Sequence, residues 1–198
     1  MGGKTAINSK SGKNLIGAFF QPSAVFIDPN TLSTLPRKEL LAGYAEVVKC
    51  GLINDRVFFN WLNKNIKKLL RKDSFEMIKA IKRSVEIKKE FILKDEKDVN
   101  NERALLNFGH TFAHGFEAAK NFSKKISHGE AVLLGMTVAN KLSYDKKILP
   151  LKDLMLIKKH YFNLNLPIKM SKFFKRKEGS NLKPGVKGAA NTPEKMRR

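Results

Sequence analysis

The run Arg103-Ala-Leu-Leu-Asn107-Phe-Gly-His110-Thr-Phe-Ala-His114, followed after a polar loop by Ser127-His128-Gly-Glu130, gathers residue types that bind metals and anions. If residues 103–119 form one helix, Arg103, Asn107, His110 and His114 stand at offsets of 0, 4, 7 and 11, a single stripe of the 3.6-residue period. Such a stripe is no ordinary core face. Buried polar groups need partners, and a metal, an anion or a substrate is the natural counterpart. A catalytic divalent metal commonly takes three protein ligands, with two histidines and a carboxylate a frequent set. His110 and His128 supply the imidazoles, and the leading carboxylate is Glu46, within Gly43-Tyr-Ala-Glu46-Val-Val-Lys49, where Lys49 follows one turn on. A capping or salt-bridged surface acid is the other reading of Glu46. His114 can be a fourth ligand, a general acid or base, or a core histidine. Its place beside Arg103 favours substrate contact, because a guanidinium holds carboxylate or phosphate through paired hydrogen bonds. Glu117 falls near the same face and can orient His114 or a metal ligand from behind. His160 sits alone on a polar stretch and takes no role.

The elements that must position these groups read as helices. Ser33 or Thr34 can cap a helix with Pro36 in its first turn, running to about Cys50 and ended by Gly51. Further helices are expected at about 55–70, 73–94, 103–119, 128–145 and 151–162. Ser127 and Glu130 form a capping-box signature that places His128 in the first turn of its helix. Before them, Gly2-Gly3-Lys4-Thr5, Gly12-Lys13-Asn14 and Ala24-Val25-Phe26-Ile27-Asp28-Pro29 read as loops around short strands, the tail end of an α/β domain. From Lys172 onward periodic apolar positions nearly vanish, and the segment reads as a disordered basic tail. It is either a solvated extension or a grip for nucleic acid or an acidic partner.

Composition narrows the classes. The 198 residues, 42% hydrophobic, suffice for a real core. The net charge of +21 comes from 39 basic against 18 acidic residues, but lysine is spread along every segment. That pattern argues for solvated helix faces and against nucleic-acid binding, which leans on arginine and interleaved aromatics. Cys50 is the single cysteine, so no disulfide framework exists and a reducing compartment is expected. No apolar run reaches the roughly 18 residues that span a bilayer, and no signal peptide is read at the start, so the expectation is a cytoplasmic protein without membrane attachment.

Taken together, Gly-Gly-Lys-Thr, Gly-Lys-Asn-Leu-Ile-Gly-Ala-Phe-Phe-Gln-Pro, Thr-Leu-Pro-Arg-Lys-Glu with Ala-Glu-Val-Val-Lys, Leu-Asn-Phe-Gly-His-Thr-Phe-Ala-His and His-Gly-Glu-Ala-Val resemble 3-dehydroquinate synthase in order and spacing over about residues 2–150. The resemblance implies cyclisation of 3-deoxy-arabino-heptulosonate 7-phosphate to 3-dehydroquinate with phosphate elimination, in the shikimate pathway, using NAD and a divalent metal, zinc or cobalt. It implies metal ligands at Glu46, His110 and His128. Substrate and catalytic positions fall on Lys49, Lys88, Arg103, Asn107, His114 and Asn14, and cofactor contacts on Lys4, Lys13 and Thr31-Leu32-Ser33-Thr34. The fold expected is mainly α: a remnant of an α/β NAD-binding domain at 1–30, a helical metal- and substrate-binding domain at 31–170, and the basic tail at 171–198. The partner implied is a small sugar phosphate, and full-length relatives are expected to form homodimers.

The chain also departs from the family pattern. No glycine-rich nucleotide turn precedes the first motif, one extra residue lies between Asp95 and Arg103, with the potential to shift Lys88 against the stripe, and the tail replaces the family's C-terminal segment. The expectation is a metal site more intact than the catalysis. A related sugar-phosphate cyclase, or an inactive helical metal- or anion-binding protein that kept the scaffold, are the alternatives.

Overall fold

The computed structural model describes residues 3–10, 12–119 and 126–164. The expected basic tail at 171–198 lies outside them. The chain opens on an antiparallel hairpin of β1 (Lys4–Ser9) and β2 (Gly12–Phe19), paired Lys4 to Phe19 and Ile7 to Ile16. Among the described residues six α-helices follow: α1 (Arg37–Asn54), α2 (Arg56–Leu70), α3 (Ser74–Lys94), α4 (His110–Ala119), α5 (His128–Asp145) and α6 (Leu151–Asn163). Short 3-10 helices occupy Pro29–Leu32 and Glu102–Asn107. The mainly helical expectation holds, and no described helix is long and apolar enough to cross a membrane.

Local chemistry explains most boundaries. Asp55 ends α1 and caps α2, its carboxylate accepting from Phe58 N at 2.8 Å, and Asp73 caps α3 through Glu76 N at 3.2 Å. Each satisfies a donor that the first helical turn would otherwise leave unpaired. On α2, Phe58, Phe59, Leu62, Ile66 and Leu69 recur at helical spacing and are buried. α1 is the central helix, with Leu40, Leu41, Ala45, Val48, Leu52 and Ile53 in the core. Anything polar on its buried turns must therefore find a partner inside the fold.

Several expectations need correction. Residues 103–119 are not one helix. The 3-10 helix Glu102–Asn107 ends at Phe108, Gly109 takes φ +80°, and α4 starts afresh at His110. The reason is tertiary: a Cβ at Gly109 would lie 2.8 Å from Met136 N, so the turn is pressed against α5. The proposed stripe is therefore broken between Asn107 and His110. Gly51 does not end α1 but lies inside it, because the backbone of Phe59 packs where a Cβ would stand, 3.1 Å from Phe59 Cα. Neither Ser33 nor Thr34 caps α1. Pro36 directly precedes it, its carbonyl accepting from Leu40 N at 3.0 Å. Residues 24–28 form no strand. His160 is no polar-surface residue: it is fully buried, with Tyr44 Oη 3.2 Å from Nε2 and Asn63 Oδ1 3.2 Å from Nδ1.

Candidate metal and substrate site

Glycines bring the candidate residues together. A Cβ at Gly129 would stand 2.1 Å from Ala42 Cα, and one at Gly135 would stand 2.1 Å from Gly109 O. These two approaches seat the first turn of α5 directly on α1 and the start of α4 directly on α5. The capping box forms as expected: Ser127 N donates to Glu130 Oε2 at 2.8 Å and Glu130 N to Ser127 Oγ at 3.3 Å. That cap sets His128 on the opening turn of α5, facing His110 with ring centroids 5.3 Å apart.

Glu46, His110 and His128 converge so that one ligand atom from each lies within 4.8 Å of the others. The two carboxylate oxygens of Glu46 are in different situations. Oε2 accepts from Lys49 Nζ at 2.8 Å and has Lys88 Nζ at 3.7 Å. Oε1 is buried without a hydrogen-bond partner and lies 3.6 Å from His110 Nε2. Behind the histidines, Glu117 is 5% exposed and takes Nδ1 of His114 at 3.1 Å and Nδ1 of His128 at 3.2 Å. A carboxylate only accepts, so these bonds put the proton on Nδ1 and leave Nε2 with its lone pair. His110 is oriented in the same sense by the Phe108 carbonyl, 3.4 Å from its Nδ1.

The electrostatics suit a cation. Burial, helped by Lys49, pushes His110 down to about 4, so its imidazole is neutral at pH 7. Burial alone would raise the Glu46 carboxyl, but Lys49, Lys88 and His110 outweigh it and hold it below its ordinary value. The Lys49 ammonium, 3% exposed, is itself lowered by burial despite its bond to Glu46. The neutral His110 imidazole, the facing His128 ring and an ionised carboxylate form a donor set that accepts a divalent ion.

The remaining expected residues are placed as follows. Lys88 stays within reach of Glu46 despite the extra residue before Arg103. Arg103 is buried and donates to the Glu96 carbonyl at 3.1 Å, beside a loop whose amides of Val99 and Asn100 are held by Asp95. Asn107, at the end of the 3-10 helix, is exposed, as is His114. Lys4 lies on β1, and Lys13 and Asn14 on β2; their side chains lie outside the description. Thr31 and Leu32 belong to the first 3-10 turn, with Ser33 and Thr34 just after it, and Thr31 Oγ1 donates to Asp28 O at 2.7 Å. Sequence reasoning found Glu117 as a support for His114 or a ligand without naming which ligand; the structure puts it on both His114 and His128. The signal was the spacing of Glu117 and His114 on one helical turn; the link to His128 comes from tertiary packing.

Comparison with known proteins identifies the family. Residues 43–182 match the family described as 3-dehydroquinate synthase C-terminal, and residues 1–42 match 3-dehydroquinate synthase N-terminal. A 3-dehydroquinate synthase of Pelagibacter ubique is 49% identical over 174 residues, covering 88% of this chain and 47% of that protein. One from Zymomonas mobilis is 44% identical over 182 residues, covering 92% of this chain and 48% of that protein. The chain thus spans about half the length of these relatives. Among solved structures, the 2-epi-5-epi-valiolone synthase of Streptomyces hygroscopicus with NAD+ and Zn2+ bound superimposes with a TM-score of 0.76 at 27% identity, over 83% of this chain and 46% of that one. A 2-deoxy-scyllo-inosose synthase complexed with carbaglucose-6-phosphate, NAD+ and Co2+ does so with a TM-score of 0.70 at 28% identity, over 83% of this chain and 45% of that one. Matches to both parts of the family, with relatives approaching half identical, show that this chain belongs to the 3-dehydroquinate synthase family.

Proposed function

We propose that the chain forms the metal- and substrate-binding part of a 3-dehydroquinate synthase, converting 3-deoxy-arabino-heptulosonate 7-phosphate to 3-dehydroquinate with loss of phosphate. In this reading Glu46, His110 and His128 hold the divalent ion. The observation that carries it is Glu46 Oε1, a buried carboxylate oxygen with no hydrogen-bond partner, beside His110 Nε2 at 3.6 Å. A buried acceptor left bare is costly unless a cation completes it. The relatives solved with NAD+ and with Zn2+ or Co2+ support the same cofactor set.

When bound, the metal supplies a Lewis acid that polarises substrate hydroxyls, and NAD+ supplies a reversible hydride acceptor. The chain's own residues do the positioning. Glu117 holds the Nδ1 protons of His114 and His128, which leaves the opposite nitrogen of His114 to carry a proton at the substrate. Lys49 and Lys88 set two ammonium groups against Glu46, where they offset substrate anionic charge. Arg103, Asn107 and Asn14 complete the proposed substrate set, and Lys4, Lys13 and Thr31–Thr34 the cofactor set. A homodimer working in the cytoplasm belongs to the same reading; light scattering that gives twice the 22.4 kDa chain mass supports the dimer.

The test is phosphate release from the heptulosonate phosphate by the purified chain, with NAD+ and zinc or cobalt, before and after chelation. Release that requires both metal and NAD+ is expected. Bound metal with no release, by the chain alone and by the chain supplemented with the N-terminal half of a full-length relative, overturns the synthase reading and leaves a metal-binding scaffold.

A further inference from the structure

The segment from Ile27 to Leu35 roofs an apolar cavity of about 250 Å³ whose floor is built by Leu40 and Tyr44 of α1, Leu69 of α2 and Ala80 of α3. No residue of its 3-10 turn Pro29–Leu32 is buried. With a hollow beneath it, the segment gains little from apolar packing, so polar ties must fix its position. Those within it are local: Asp28 accepts from Asn30 N at 2.9 Å, and Ser33 N and Leu35 N donate to Asn30 O and Leu32 O at 3.0 and 3.1 Å. They shape the turn without anchoring it.

The anchor comes from the turn between α2 and α3. Lys72 Nζ donates to the carbonyls of both Ser33 and Leu35, each at 2.7 Å. Lys72 follows the C-cap of α2 with φ 62°, closing the helix through Lys72 N to Leu69 O and Asp73 N to Lys68 O. Glycine is the usual residue there because a Cβ is strained at positive φ. Lys147 takes the same backbone position after α5, so the conformation alone does not single Lys72 out. The two charge-assisted bonds to one exposed strand of backbone do.

We propose that Lys72 is a positioning residue: its ammonium clasps the Ser33 and Leu35 carbonyls and thereby holds Thr31–Thr34 in place over the cavity. The consequence for NAD+ rests on the reading of Thr31–Thr34 as a cofactor contact. Lys72 touches neither the metal trio nor the reacting atoms. It acts through the backbone it holds.

The test compares Lys72→Met, Lys72→Gly and Lys72→Arg in the full chain by amide hydrogen exchange, NAD+ titration, Zn2+ titration and thermal unfolding. In Lys72→Met and Lys72→Gly the amides of Ser33 and Leu35 exchange about tenfold faster or more, while Zn2+ affinity is unchanged. Lys72→Gly keeps or raises the melting temperature, because glycine accepts the positive φ, which separates the clasp from helix termination. Lys72→Arg restores slow exchange. NAD+ binding weakens about fivefold in the first two variants and recovers in the third. Unchanged exchange at Ser33 and Leu35 in Lys72→Met overturns the clasp. Faster exchange with NAD+ binding absent or unaltered supports the clasp and rejects the cofactor reading of the segment instead.

Discussion

The helical body from Arg37 to Leu164 and the segment before it use apolar residues in opposite ways. In the body, apolar side chains such as Leu62, Ile87 and Val132 are sealed in one continuous core, and buried polar residues such as His160 and Glu117 are held by side-chain partners. In the hairpin and the stretch after it, Ile7, Ile16, Phe20 and Phe26 lie open, Phe26 at 96% exposure. The body therefore holds its candidate site by packing, and the N-terminal segment holds its shape by backbone hydrogen bonds and by ties such as that of Lys72. Geometry that needs tolerances of tenths of an ångström, as a metal site does, belongs in the first kind of structure.

The largest effect is expected where the body's helices touch without side chains between them. Gly129→Val forces a branched side chain into the backbone of Ala42 and costs at least about 3 kcal/mol, read by denaturant unfolding. A wild-type-like midpoint would show that the seat of α5 on α1 is looser than described. Leu62→Ala removes a fully buried side chain and costs about 2–5 kcal/mol. Its counterpart in the other region, Phe26→Ala, stays within about 0.5 kcal/mol, so a similar cost for the two would erase the contrast.

Acid is the next lever. Burial pushes His160 down to about 4, and His110 is shifted the same way. Between pH 6.5 and about 4 the unfolded chain binds more protons than the folded one, so stability is fully present above pH 6.5 and falls as pH drops through this window. For His160 the loss is up to about 3 kcal/mol. His160→Gln should flatten that slope in urea titrations at several pH values; a slope unchanged by the substitution assigns the acid sensitivity elsewhere. A smaller effect is expected at Glu117→Gln, which leaves the ligands in place and loosens their orientation. Zn2+ affinity should fall about 10–100-fold. Equal affinity would remove Glu117 from the support of His128.

Much of this organisation was legible in the residues. The caps at Asp55, Asp73 and Ser127 are local chemistry, readable within a few positions. The trio Glu46, His110 and His128 was legible through the motif resemblance, whereas spacing alone left Glu46 open between a ligand and a surface acid; the structure brings the three together. The break at Gly109 was not. The polar residues around it fit helical spacing, and the close approach of α5 at Met136 and Val132, which leaves room only for glycine, is tertiary. Gly51 read as a stop for the same reason in reverse, since its close neighbour, Phe59, belongs to the next helix. His160 looked solitary because Tyr44 and Asn63, its partners, are brought to it only by the packing of α6 on the central helices.

Glu46, His110 and His128 are held in the helical body as a preformed divalent-metal site. Isothermal titration of the purified chain with Zn2+, beside His110→Ala with its helical content checked by circular dichroism, tests it most directly. One ion per chain is expected for the wild type and no stoichiometric binding for the folded variant. Equal binding by the two proteins would contradict it.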